Sequence, residues 1–600
     1  FAARCNNRLL AIGDCGFQRE LIAELIGIRT PKFAMSSGSL ALILHAHLPF
    51  VRHPEHEHFL EEDWFFEAIT ECYVPLVRMM QRLVDEHVPF KLAMSFTPTL
   101  CAMLQDKLLC ERYVRHLDSL IDLATRERKR NRNHPSLREL ANFYFKIFRE
   151  SRRFFVDECK CDLLATFREL RESGGLEIVA SAATHGLLPL LQEPVIAEGS
   201  DLGVPAFASS TPSRSTSAAT KAARAQILIG RDVYVDLFGV EPRGFWLPEC
   251  AYGPGLESIL QEANIRWFVL DTHGLLFGKP HPRRSIYAPC YTPAGPAAFA
   301  RDRDSSRQVW SAQGGYPGDP AHREFYRDAG FDLPLEHLGP VTHGTRKFSG
   351  VKYHRITGAG GQKELYDPPA AERIAKRQAL HFLEERRSQI REVAAEGFDP
   401  IVVVPFDAEL FGHWWFEGPG FLDQFIRQAA IERDFRLATP SEYLAANPTQ
   451  QIIEPATSTW GENGYFEVWL NPSNAWIYPQ LHIAAQRMSD AARRYASAVV
   501  WQPLRLPSGN PPDEAPALQL ADRVLKQLAR EVLLAQSSDW AFLMKTGAAR
   551  EYATKRTIDH LARFNRLHDQ LVTNTVDEKF LRECEWRDNL FPNVNWRYYI

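Results

Sequence analysis

One short segment carries an unusual density of groups that could do chemistry. Ile401–Phe406 is a continuous apolar run rich in β-branched side chains, which is typical of a buried strand. Carboxyl groups can supply an acid, a base or a nucleophile at a glycosidic bond, and flat indole faces pack well against sugar rings. The eleven residues after the run contain such groups and indicate a carbohydrate site: Asp407, Glu409, His413, Trp414, Trp415 and Glu417.

The same order of apolar run and polar group recurs along the chain. Strands that alternate with helical stretches and end in polar groups favour a parallel β/α barrel, whose chemistry collects at the C-terminal ends of the strands. An open doubly wound sheet also binds ligands at strand ends and is the alternative. Lys91–Phe96 is a further candidate strand, although no ionisable group follows it closely. The other runs are Ala41–Leu44 before His45 and His47, Leu176–Ala180 before His185, Gly244–Leu247 before Glu249, and Trp267–Leu270 before Asp271 and His273.

The composition limits the classes of function. The 600 residues, 45% hydrophobic and 24% charged, are ordinary for a globular protein of roughly two to four domains. A net charge of −4 gives no electrostatic support for binding nucleic acid or an anionic membrane. No run approaches the roughly 18 apolar residues of a membrane span. The thirteen tryptophans favour sugar binding only weakly, because most tryptophans of a large protein lie in its core.

Ten cysteines are scattered along the chain without a CxxC pair. Cys159 and Cys161 have no second pair that could complete a zinc site. The pattern indicates free thiols in a reducing compartment, so we expect a cytoplasmic protein.

Four segments look like extensions, loops or linkers. Residues 1–34 lack the apolar core of a secretory signal, and we expect Met35 to be the natural start. Ala206–Thr220 is Ser/Thr-rich and predicted to be disordered, whereas Leu506–Pro516 is linker-like. Residues 292–330 are rich in Gly, Pro, Arg and Asp and are predicted to form a long functional loop.

Five motifs, in order along the chain, resemble the signature regions of glycoside hydrolase family 57. Together they extend from residue 40 to about residue 445, which makes the resemblance specific. The motifs are His45-Ala-His47-Leu-Pro49; Gly175-Leu-Glu177 through His185-Gly-Leu-Leu-Pro189; Gly244-Phe-Trp246-Leu-Pro248-Glu249-Cys-Ala-Tyr252; Asp407-Ala-Glu409 through His413-Trp414-Trp415-Phe-Glu417-Gly418; and Ala438-Thr-Pro-Ser-Glu-Tyr443-Leu.

The end of the chain resembles the C-terminal helical domain of the family's 1,4-α-glucan branching enzymes. The pattern becomes helical from about Asn474, and the matching segments are Ser458-Thr-Trp460-Gly461, Trp469-Leu-Asn471, Asn474-Ala-Trp476-Ile-Tyr478 and Ser538-Asp539-Trp540. The resemblance implies an α/β fold: a (β/α)7, TIM-like barrel with an inserted helical subdomain and a C-terminal α-helical domain. We therefore expect an N-terminal extension over 1–39, a catalytic barrel over 40–445 with a lid loop at 292–330, and the helical domain over 446–600.

The resemblance also implies retaining chemistry on an α-1,4-glucan such as amylose or glycogen. Glu249 matches the nucleophile and Asp407 the general acid/base, and retention requires two carboxyl groups about 5–5.5 Å apart. A covalent glucosyl–enzyme intermediate would pass to the 6-hydroxyl of an acceptor chain and create an α-1,6 branch. No cofactor and no metal is implied, and we expect a monomer or weak oligomer that binds donor and acceptor glucan.

Other positions are expected to contact substrate. His45, His47, His185 and His413 follow predicted strands and could hydrogen-bond glucose hydroxyls; the alternative for each is a core histidine. Trp246, Trp414 and Trp415 could stack on sugars or pack in the core, and Asp271 and His273 could support the nucleophile or pair structurally. Glu409 is a rival acid, since on an extended chain it points the same way as Asp407.

The acceptor side is assigned by resemblance alone. Tyr316 is expected on a mobile loop that keeps water from the intermediate, the alternative being an ordinary exposed loop tyrosine. Arg327, Gly344, Trp460, Trp469 and Asp539 match substrate-contacting positions of the branching enzymes. Ala548 departs from the pattern, because relatives can carry a glutamine there.

Three other functions stay open at this point. An α-amylase or a 4-α-glucanotransferase of the same family would use the same two carboxylates. A zinc-dependent polysaccharide deacetylase could use His45, His47 and a strand-end aspartate as metal ligands. A non-catalytic glucan-binding protein would need only the aromatic side chains and would leave Glu249 and Asp407 without a role.

Overall fold

A computed structural model describes residues 38–192, 218–311, 314–358, 362–500 and 514–600. The expected extension up to Met35, most of Ala206–Thr220 and the first part of Leu506–Pro516 lie outside these residues. The described ends of the last two segments belong to helices rather than loops. The strands are β1 (Ser39–Ala46), β2 (Leu92–Phe96), β3 (Leu176–Ser181), β4 (Gly244–Trp246), β5 (Trp267–Leu270), β6 (Cys290–Tyr291), β7 (Ala297–Ala300), β8 (Ile401–Asp407), β9 (Arg436–Leu437) and β10 (Gln451–Ile452).

Seven of the described strands form a barrel. Their order is β8-β1-β2-β3-β4-β5-β7, and every pair of neighbours is parallel. A parallel bridge between Arg301 and Val403 joins the two ends of the sheet. Short interior side chains such as Ala41, Ala93 and Val179 allow the strands to close around a small core. The predicted seven-stranded barrel is confirmed, and the open doubly wound sheet is wrong.

The six predicted strands all occur, but one barrel strand lies where a loop was expected. Residues 292–330 contain β7 and the helix Arg303–Trp310, so this segment is not one long loop. The prediction was wrong because β7 has only four residues, between a Pro/Gly-rich turn and a charged stretch. Burial of Ala297–Ala300 in the sheet, rather than local sequence, selects the strand.

Helices surround the barrel and fill the connections between its strands. The helices α3 to α6 lie between β2 and β3, as an inserted helical subdomain. In chain order the helices up to the end of the barrel are α1 (Glu62–Ala68), α2 (Val74–Asp85), α3 (Pro98–Gln105), α4 (Lys107–Arg130), α5 (Pro135–Arg153), α6 (Leu163–Glu172), α7 (Leu188–Gln192), α8 (Ala218–Phe238), α9 (Leu256–Glu262), α10 (Thr272–Leu276), α11 (Arg303–Trp310), α12 (Ala329–Asp332), α13 (Leu335–Leu338), α14 (Pro368–Ala394), α15 (Gly418–Ala429) and α16 (Pro440–Ala446).

The C-terminal part is helical, as predicted. Its helices are α17 (Ile477–Val500), α18 (Glu514–Ala535), α19 (Ser538–Thr546), α20 (Arg550–Thr573) and α21 (Glu578–Arg587). They pack on the barrel through polar as well as apolar groups. Arg556 donates to the backbone oxygen of Phe50 at 3.1 Å, and Thr184 donates to the backbone oxygen of Leu533. This region is therefore joined to the carboxyl ends of the barrel strands.

A π-helical turn, Ile69–Tyr73, separates α1 from α2. Such turns add one residue to a helix and often occur at functional sites, since they redirect the side chains around them. The turn packs closely on the segment after β8: a Cβ on Gly412 would lie 1.8 Å from the backbone oxygen of Glu71. Gly412 also has a φ of +114°, so only glycine suits this contact.

No helix of the described residues is long and apolar enough to cross a membrane. The eight cysteines within the described ranges are all free thiols.

Two helical glycines provide a matched test of the barrel packing. Gly230 in α8 lies against β3, where an added Cβ would lie 2.1 Å from the backbone oxygen of Ser181, whereas Gly420 in α15 has open space. Gly230→Ala should lower the free energy of unfolding by about 1–3 kcal/mol through overpacking. Gly420→Ala should raise it by up to about 1 kcal/mol through helix propensity. Chemical denaturation measures both, and equal effects would contradict the packing.

Candidate active site

Glu249 lies in a tight turn at the carboxyl end of β4. The turn Pro248–Cys250 places Glu249 and Cys250 at φ values of 60° and 48°, a left-handed conformation that costs about 1–3 kcal/mol for residues with a side chain. Trp460 holds this conformation from the C-terminal side of the barrel. Its backbone N–H donates to the Glu249 backbone oxygen at 3.1 Å, and its indole Nε1–H donates to Glu249 Oε2 at 2.8 Å.

Asp407 is the last residue of β8 and lies beside His45 of β1 in the sheet register. Among the described residues it accepts no hydrogen bond, so both of its oxygens are available to a ligand. Glu409, two residues later, differs. Its Oε1 accepts from the Tyr73 hydroxyl at 2.5 Å and from the backbone N–H of His47 at 3.1 Å. The structure thus separates the two carboxyl groups: Glu409 is committed to the barrel wall and Asp407 is not.

Burial changes the protonation of these carboxyl groups. It raises the pKa of Glu249 to about 7, and the charge of Asp407 adds to this while the hydrogen bond from Trp460 opposes it. Burial and the neighbouring charge of Glu409 raise the pKa of Asp407 to about 7. Burial also raises the pKa of Glu409 to about 7. Near neutral pH the site therefore holds carboxyl groups that can both give and accept protons.

Two hydrogen-bonded rows of side chains line the wall between β1 and β3. In the first row, His45 Nδ1 lies 2.5 Å from Ser95 Oγ, and His45 Nε2 lies 3.0 Å from His185 Nε2. His185 Nδ1 continues to Ser538 Oγ at 3.0 Å and lies 3.8 Å from Glu249 Oε1. Burial, then the charge of His47, lowers the pKa of both His45 and His185. Their imidazole rings are consequently neutral at pH 7.

The second row links the barrel to the C-terminal helices. His47 Nδ1 lies 3.0 Å from Thr97 Oγ1, and its Nε2 lies 2.9 Å from Asp539 Oδ1 at the start of α19. Burial would raise the pKa of Asp539, but the charge and hydrogen bond of His47 lower it overall. Asp539 is therefore an ionised partner of His47 that comes from 492 residues further along the chain.

Stacked rings complete this wall. The His45 and Trp246 rings are parallel with centroids 4.6 Å apart, and the His47 and His185 rings are 3.7 Å apart. Trp460 meets Trp246 edge to face at 5.0 Å. This packing fixes the orientation of each imidazole beside the carboxyl groups.

Asp271 and His273 at the end of β5 form a supporting pair. His273 Nδ1 lies 3.0 Å from Asp271 Oδ1, and its Nε2 lies 2.8 Å from the backbone oxygen of Gly464. Arg301 donates to Asp271 Oδ2 at 3.4 Å and places its guanidinium 5.6 Å from the Trp460 ring centroid. Burial opposes ionisation of Asp271, but His273 and Arg301 lower its pKa overall. The pair therefore anchors the loop that carries Trp460.

The opposite rim carries His413 and Trp414. His413 Nδ1 lies 2.8 Å from Glu71 Oε2 on the π-helical turn, and Arg323 donates to the other oxygen of Glu71 at 3.0 Å. Trp414 is 54% exposed and stacks on Phe325 with centroids 4.9 Å apart. Of the three tryptophans proposed to stack on sugars from their sequence positions, Trp414 alone has a largely exposed ring.

Four positions that were expected to contact substrate either lie away from the carboxyl groups and histidines described above or are buried by their neighbours. Trp415 and Trp469 are only 1% exposed: Trp415 packs on Phe421, and Trp469 packs on Gly461. For Trp415 the structure thus selects core packing, the alternative to stacking on sugars. Trp469, which was matched to a substrate-contacting position, is equally enclosed. Arg327 pairs with Asp332 at 3.1 Å, and Gly344 lies on an exposed turn with open space around it.

Tyr316 also differs from its expected place over the site. Its hydroxyl lies 2.7 Å from His381 Nδ1 on α14, and its ring contacts Trp415 and Phe421. Burial raises its pKa above the ordinary value. In this structure the residue joins the 314–320 segment to α14 and α15.

Several residues of the site were missed by the sequence reasoning. Ser95 lies in β2 and Thr97 directly follows it. The sequence analysis gave this strand as a candidate but named no site residue on it, because no ionisable group follows it. The hydroxyl groups at its end were the available signal. Ser538 stands next to Asp539 in a recognised motif. Glu71 and Tyr73 have no sequence signal, because a π-helical turn is not visible in residue periodicity.

One cluster of the site has metal-ligand chemistry. His47, His185 and Asp539 offer ligand atoms that lie within 4.8 Å of one another. The hydrogen bonds described above already engage both nitrogens of each ring. The set also differs from the one expected for a deacetylase, since it excludes His45 and takes its carboxylate from α19 rather than a strand end.

Comparison with known proteins identifies the fold. Residues 41–456 match the model of glycosyl hydrolase family 57, which is more than half of the chain. The chain belongs to glycosyl hydrolase family 57. Residues 509–599 match a second model, described as 1,4-alpha-glucan branching enzyme, C-terminal.

Relatives within family 57 cover nearly the whole chain. A 1,4-alpha-glucan branching enzyme of Thermococcus kodakarensis is 32% identical over 93% of this chain and 78% of its own length. The crystal structure of an alpha-amylase from Thermotoga maritima has a TM-score of 0.81 at 41% identity, covering 94% of this chain and 99% of that one. A GH57-type branching enzyme from Pyrococcus horikoshii has a TM-score of 0.78 at 33% identity, covering 94% and 97%.

The raised pKa of Glu249 predicts a pH-dependent gain in stability for Glu249→Gln. Below the ordinary glutamate pKa of 4.5, both folded and unfolded states carry a neutral side chain and the gain should be small. Between pH 4.5 and about 7 the unfolded chain ionises while the folded protein keeps its proton, so the native protein loses up to roughly 3 kcal/mol. Glutamine removes this loss.

Thermal denaturation at pH 4 and pH 8 measures the effect. The increase in Tm of Glu249→Gln over the native protein should be larger at pH 8. Glu257→Gln, a carboxylate outside the site, is the control for general effects of pH. An increase that is equal at both pH values would contradict the assigned protonation.

Proposed function

We propose that this protein is a retaining 1,4-α-glucan branching enzyme. It would cleave an α-1,4 link in a donor glucan and transfer the released segment to a 6-hydroxyl of an acceptor chain. Glu249 and Asp407 would be its catalytic pair. The proposal is supported by two half-buried carboxyl groups with raised pKa at the carboxyl ends of β4 and β8, the edge at which barrel enzymes carry their chemistry.

In the first step, protonated Asp407 would donate its proton to the glycosidic oxygen. Ionised Glu249 would attack the anomeric carbon, so that the C–O bond breaks and a glycosyl ester forms. The two groups share one proton between them in this state. Their mutual charge repulsion disfavours double ionisation, and Trp460 favours the charged form on Glu249.

In the second step, Asp407 would act as a base. It would remove the proton from an acceptor 6-hydroxyl, whose oxygen then attacks the anomeric carbon of the glycosyl ester; the bond from that carbon to the Glu249 oxygen breaks and Glu249 leaves as a carboxylate. The result is an α-1,6 link with retained configuration. Because the carboxyl group of Asp407 forms no hydrogen bond with another described residue, it can serve either glycosidic oxygen or acceptor hydroxyl without breaking a side-chain contact.

The histidine wall would position the sugar at the cleavage point. His45 and His185 are neutral, and Ser95, Ser538 and the bond between the two rings engage their nitrogens. They would therefore shape the subsite and would bond to a sugar hydroxyl only in exchange for one of these partners. His47, paired to Asp539, would present a ring of fixed orientation. We propose that His413 and exposed Trp414 contact a more distant glucose on the opposite rim.

The observation that favours branching is the part of the chain from which Ser538 and Asp539 reach the site. Both lie within residues 509–599, the part that matches the C-terminal region of branching enzymes, and both bond to histidines of the catalytic wall. The C-terminal region thus contributes side chains to the proposed site itself.

Hydrolysis is the second candidate function. The alpha-amylase of Thermotoga maritima is 41% identical, and the same two carboxyl groups would cleave a glucan if water replaced the acceptor hydroxyl. The two functions differ only in what attacks the ester. Product analysis therefore separates them.

The deciding experiment incubates the purified protein with amylose. Proton NMR counts new α-1,6 links, and a reducing-end assay on the same sample counts hydrolysis. A branching enzyme should yield many α-1,6 links with few reducing ends. Reducing ends alone would establish an amylase, and redistributed chain lengths with neither would establish a 4-α-glucanotransferase.

Variants of the catalytic pair should abolish both products. Glu249→Gln and Asp407→Asn should each lower turnover at least about a thousandfold, because each removes a group that bonds to or protonates the reacting atoms. Glu417→Gln provides a carboxylate control on the same segment, since Glu417 is bound by His322 and Tyr366 outside the site. Full activity of Asp407→Asn would overturn its assignment.

The pH–rate profile should report the charge of Glu409. Ionised Glu409 raises the pKa of Asp407, so Glu409→Gln should shift the alkaline limb of kcat/KM to lower pH. The acid form of Asp407 would be lost earlier as pH rises. An unshifted or upward-shifted limb would contradict this coupling.

Chelation should leave the reaction unchanged. In the proposed mechanism protons are moved by carboxyl groups. His47 bonds to Thr97 and Asp539, and His185 bonds to His45 and Ser538. Activity on amylose after dialysis against EDTA should equal that of the untreated protein. A loss that zinc restores would instead favour the deacetylase chemistry considered for the histidines.

A further inference from the structure

A second cavity lies at the opposite end of the barrel from the proposed active site. Its volume is about 520 Å³, which is within the range of small-molecule sites. It opens at the N-terminal ends of β4 and β5. The polar groups that line it belong to Arg243, Gln261, Asn264, Arg266 and Ser441.

Two arginines of this cavity are neighbours in the sheet. Gly244 pairs with Trp267 in register, and one position earlier the backbone N–H of Arg266 donates to the backbone oxygen of Arg243 at 2.8 Å. Both side chains are exposed. Within the described part of the chain, neither guanidinium forms a hydrogen bond or an ion pair.

The two positive charges of Arg243 and Arg266 repel each other, and an anionic ligand would remove this repulsion. Like charges on adjacent strands destabilise a sheet. An exposed arginine can pair with a carboxylate, as Arg224 does with Glu262 at the nearby end of α9. Two unpaired guanidinium groups on one cavity wall instead provide the forked donors that bind a phosphate through paired hydrogen bonds.

The nearest carboxyl group does not complete the pair. Glu177 Oε1 accepts from Ser441 Oγ at 2.5 Å and from Trp267 Nε1 at 3.3 Å, while its buried Oε2 has no hydrogen-bond partner. Burial raises the pKa of Glu177, although the charge of Arg243 opposes this from a distance. A purely structural role for Arg243, as the compensating charge of Glu177, would leave Arg266 unexplained.

We propose that this cavity binds a phosphate monoester of a small polyhydroxy compound, with a sugar phosphate as the chemical class. Arg243 and Arg266 would hold the phosphate. The amides of Gln261 and Asn264 would bond to hydroxyls of the organic part, since the cavity is several times larger than a phosphate ion. The site is separate from Glu249 and Asp407 and does not depend on the proposed transfer reaction.

The test uses the full chain and glucose 6-phosphate as the probe, measured by isothermal titration calorimetry at low ionic strength. Arg243→Ala and Arg266→Ala should each weaken binding at least about tenfold, which corresponds to about 1.4 kcal/mol. Arg283→Ala, an exposed arginine that does not line the cavity, should leave the affinity unchanged. Glucose should not bind at this site, and inorganic phosphate should compete.

Arginine modification tests the same site without any substitution. Phenylglyoxal should label Arg243 and Arg266 in the native protein, and glucose 6-phosphate should protect both, as mass spectrometry of the peptides would show. Four results would overturn the proposal: no saturable binding, binding unaffected by both variants, equal binding of glucose, or labelling without protection. A fall in Tm for Arg243→Ala alone, with no phosphate binding, would instead assign Arg243 to Glu177.

Discussion

A carboxylate moved from water into a closed pocket loses several kcal/mol of hydration, and the organisation of this protein follows from that cost. Glu249 and Asp407 are both buried deeply enough for their pKa values to rise to about 7. If only one of the two carboxyl groups is ionised at a time, the protonated group can act as the acid and the ionised group as the nucleophile. The hydrogen bond from the indole of Trp460 favours the charged form of Glu249, and Asp407 has no such donor among the described residues.

The groups around these two carboxyl groups are also partly or fully buried, and each is either neutral or paired with a hydrogen-bonding or charged neighbour. His45 and His185 are neutral and are held between hydroxyl groups. Glu409 is retained by the Tyr73 hydroxyl, and Asp271 is balanced by Arg301. Among these described groups of the site, Asp407 is the one whose side chain has no hydrogen-bond partner. The unpaired group is the one that a reacting sugar can approach.

The strands of the barrel could be predicted because they depend on local patterns, whereas the seven-stranded closure and the assignment of Glu249 and Asp407 came from the resemblance to glycoside hydrolase family 57. Apolar runs such as Ile401–Phe406 form strands wherever they are buried, and their ends converge at one edge of a parallel sheet. The remainder depended on tertiary contacts. Ala297–Ala300 is a strand only because neighbours pair with it, and Ser95 and Thr97 matter only because imidazole rings reach them. Stacking on sugars or core packing was open for both Trp414 and Trp415, because whether an indole faces solvent is decided by the side chains packed over it.

The contacts of Ser538 and Asp539 have a consequence for the timing of synthesis. Every strand of the barrel is complete by residue 407, so a ribosome has already made both carboxyl groups when almost a third of the chain is still missing. His47 and His185 then lack the partners that orient them. Only when the segment around residue 538 has left the ribosome and docked is the wall assembled. The chain is therefore expected to stay inert toward polymer during most of its own translation, and to become competent as a nearly finished molecule.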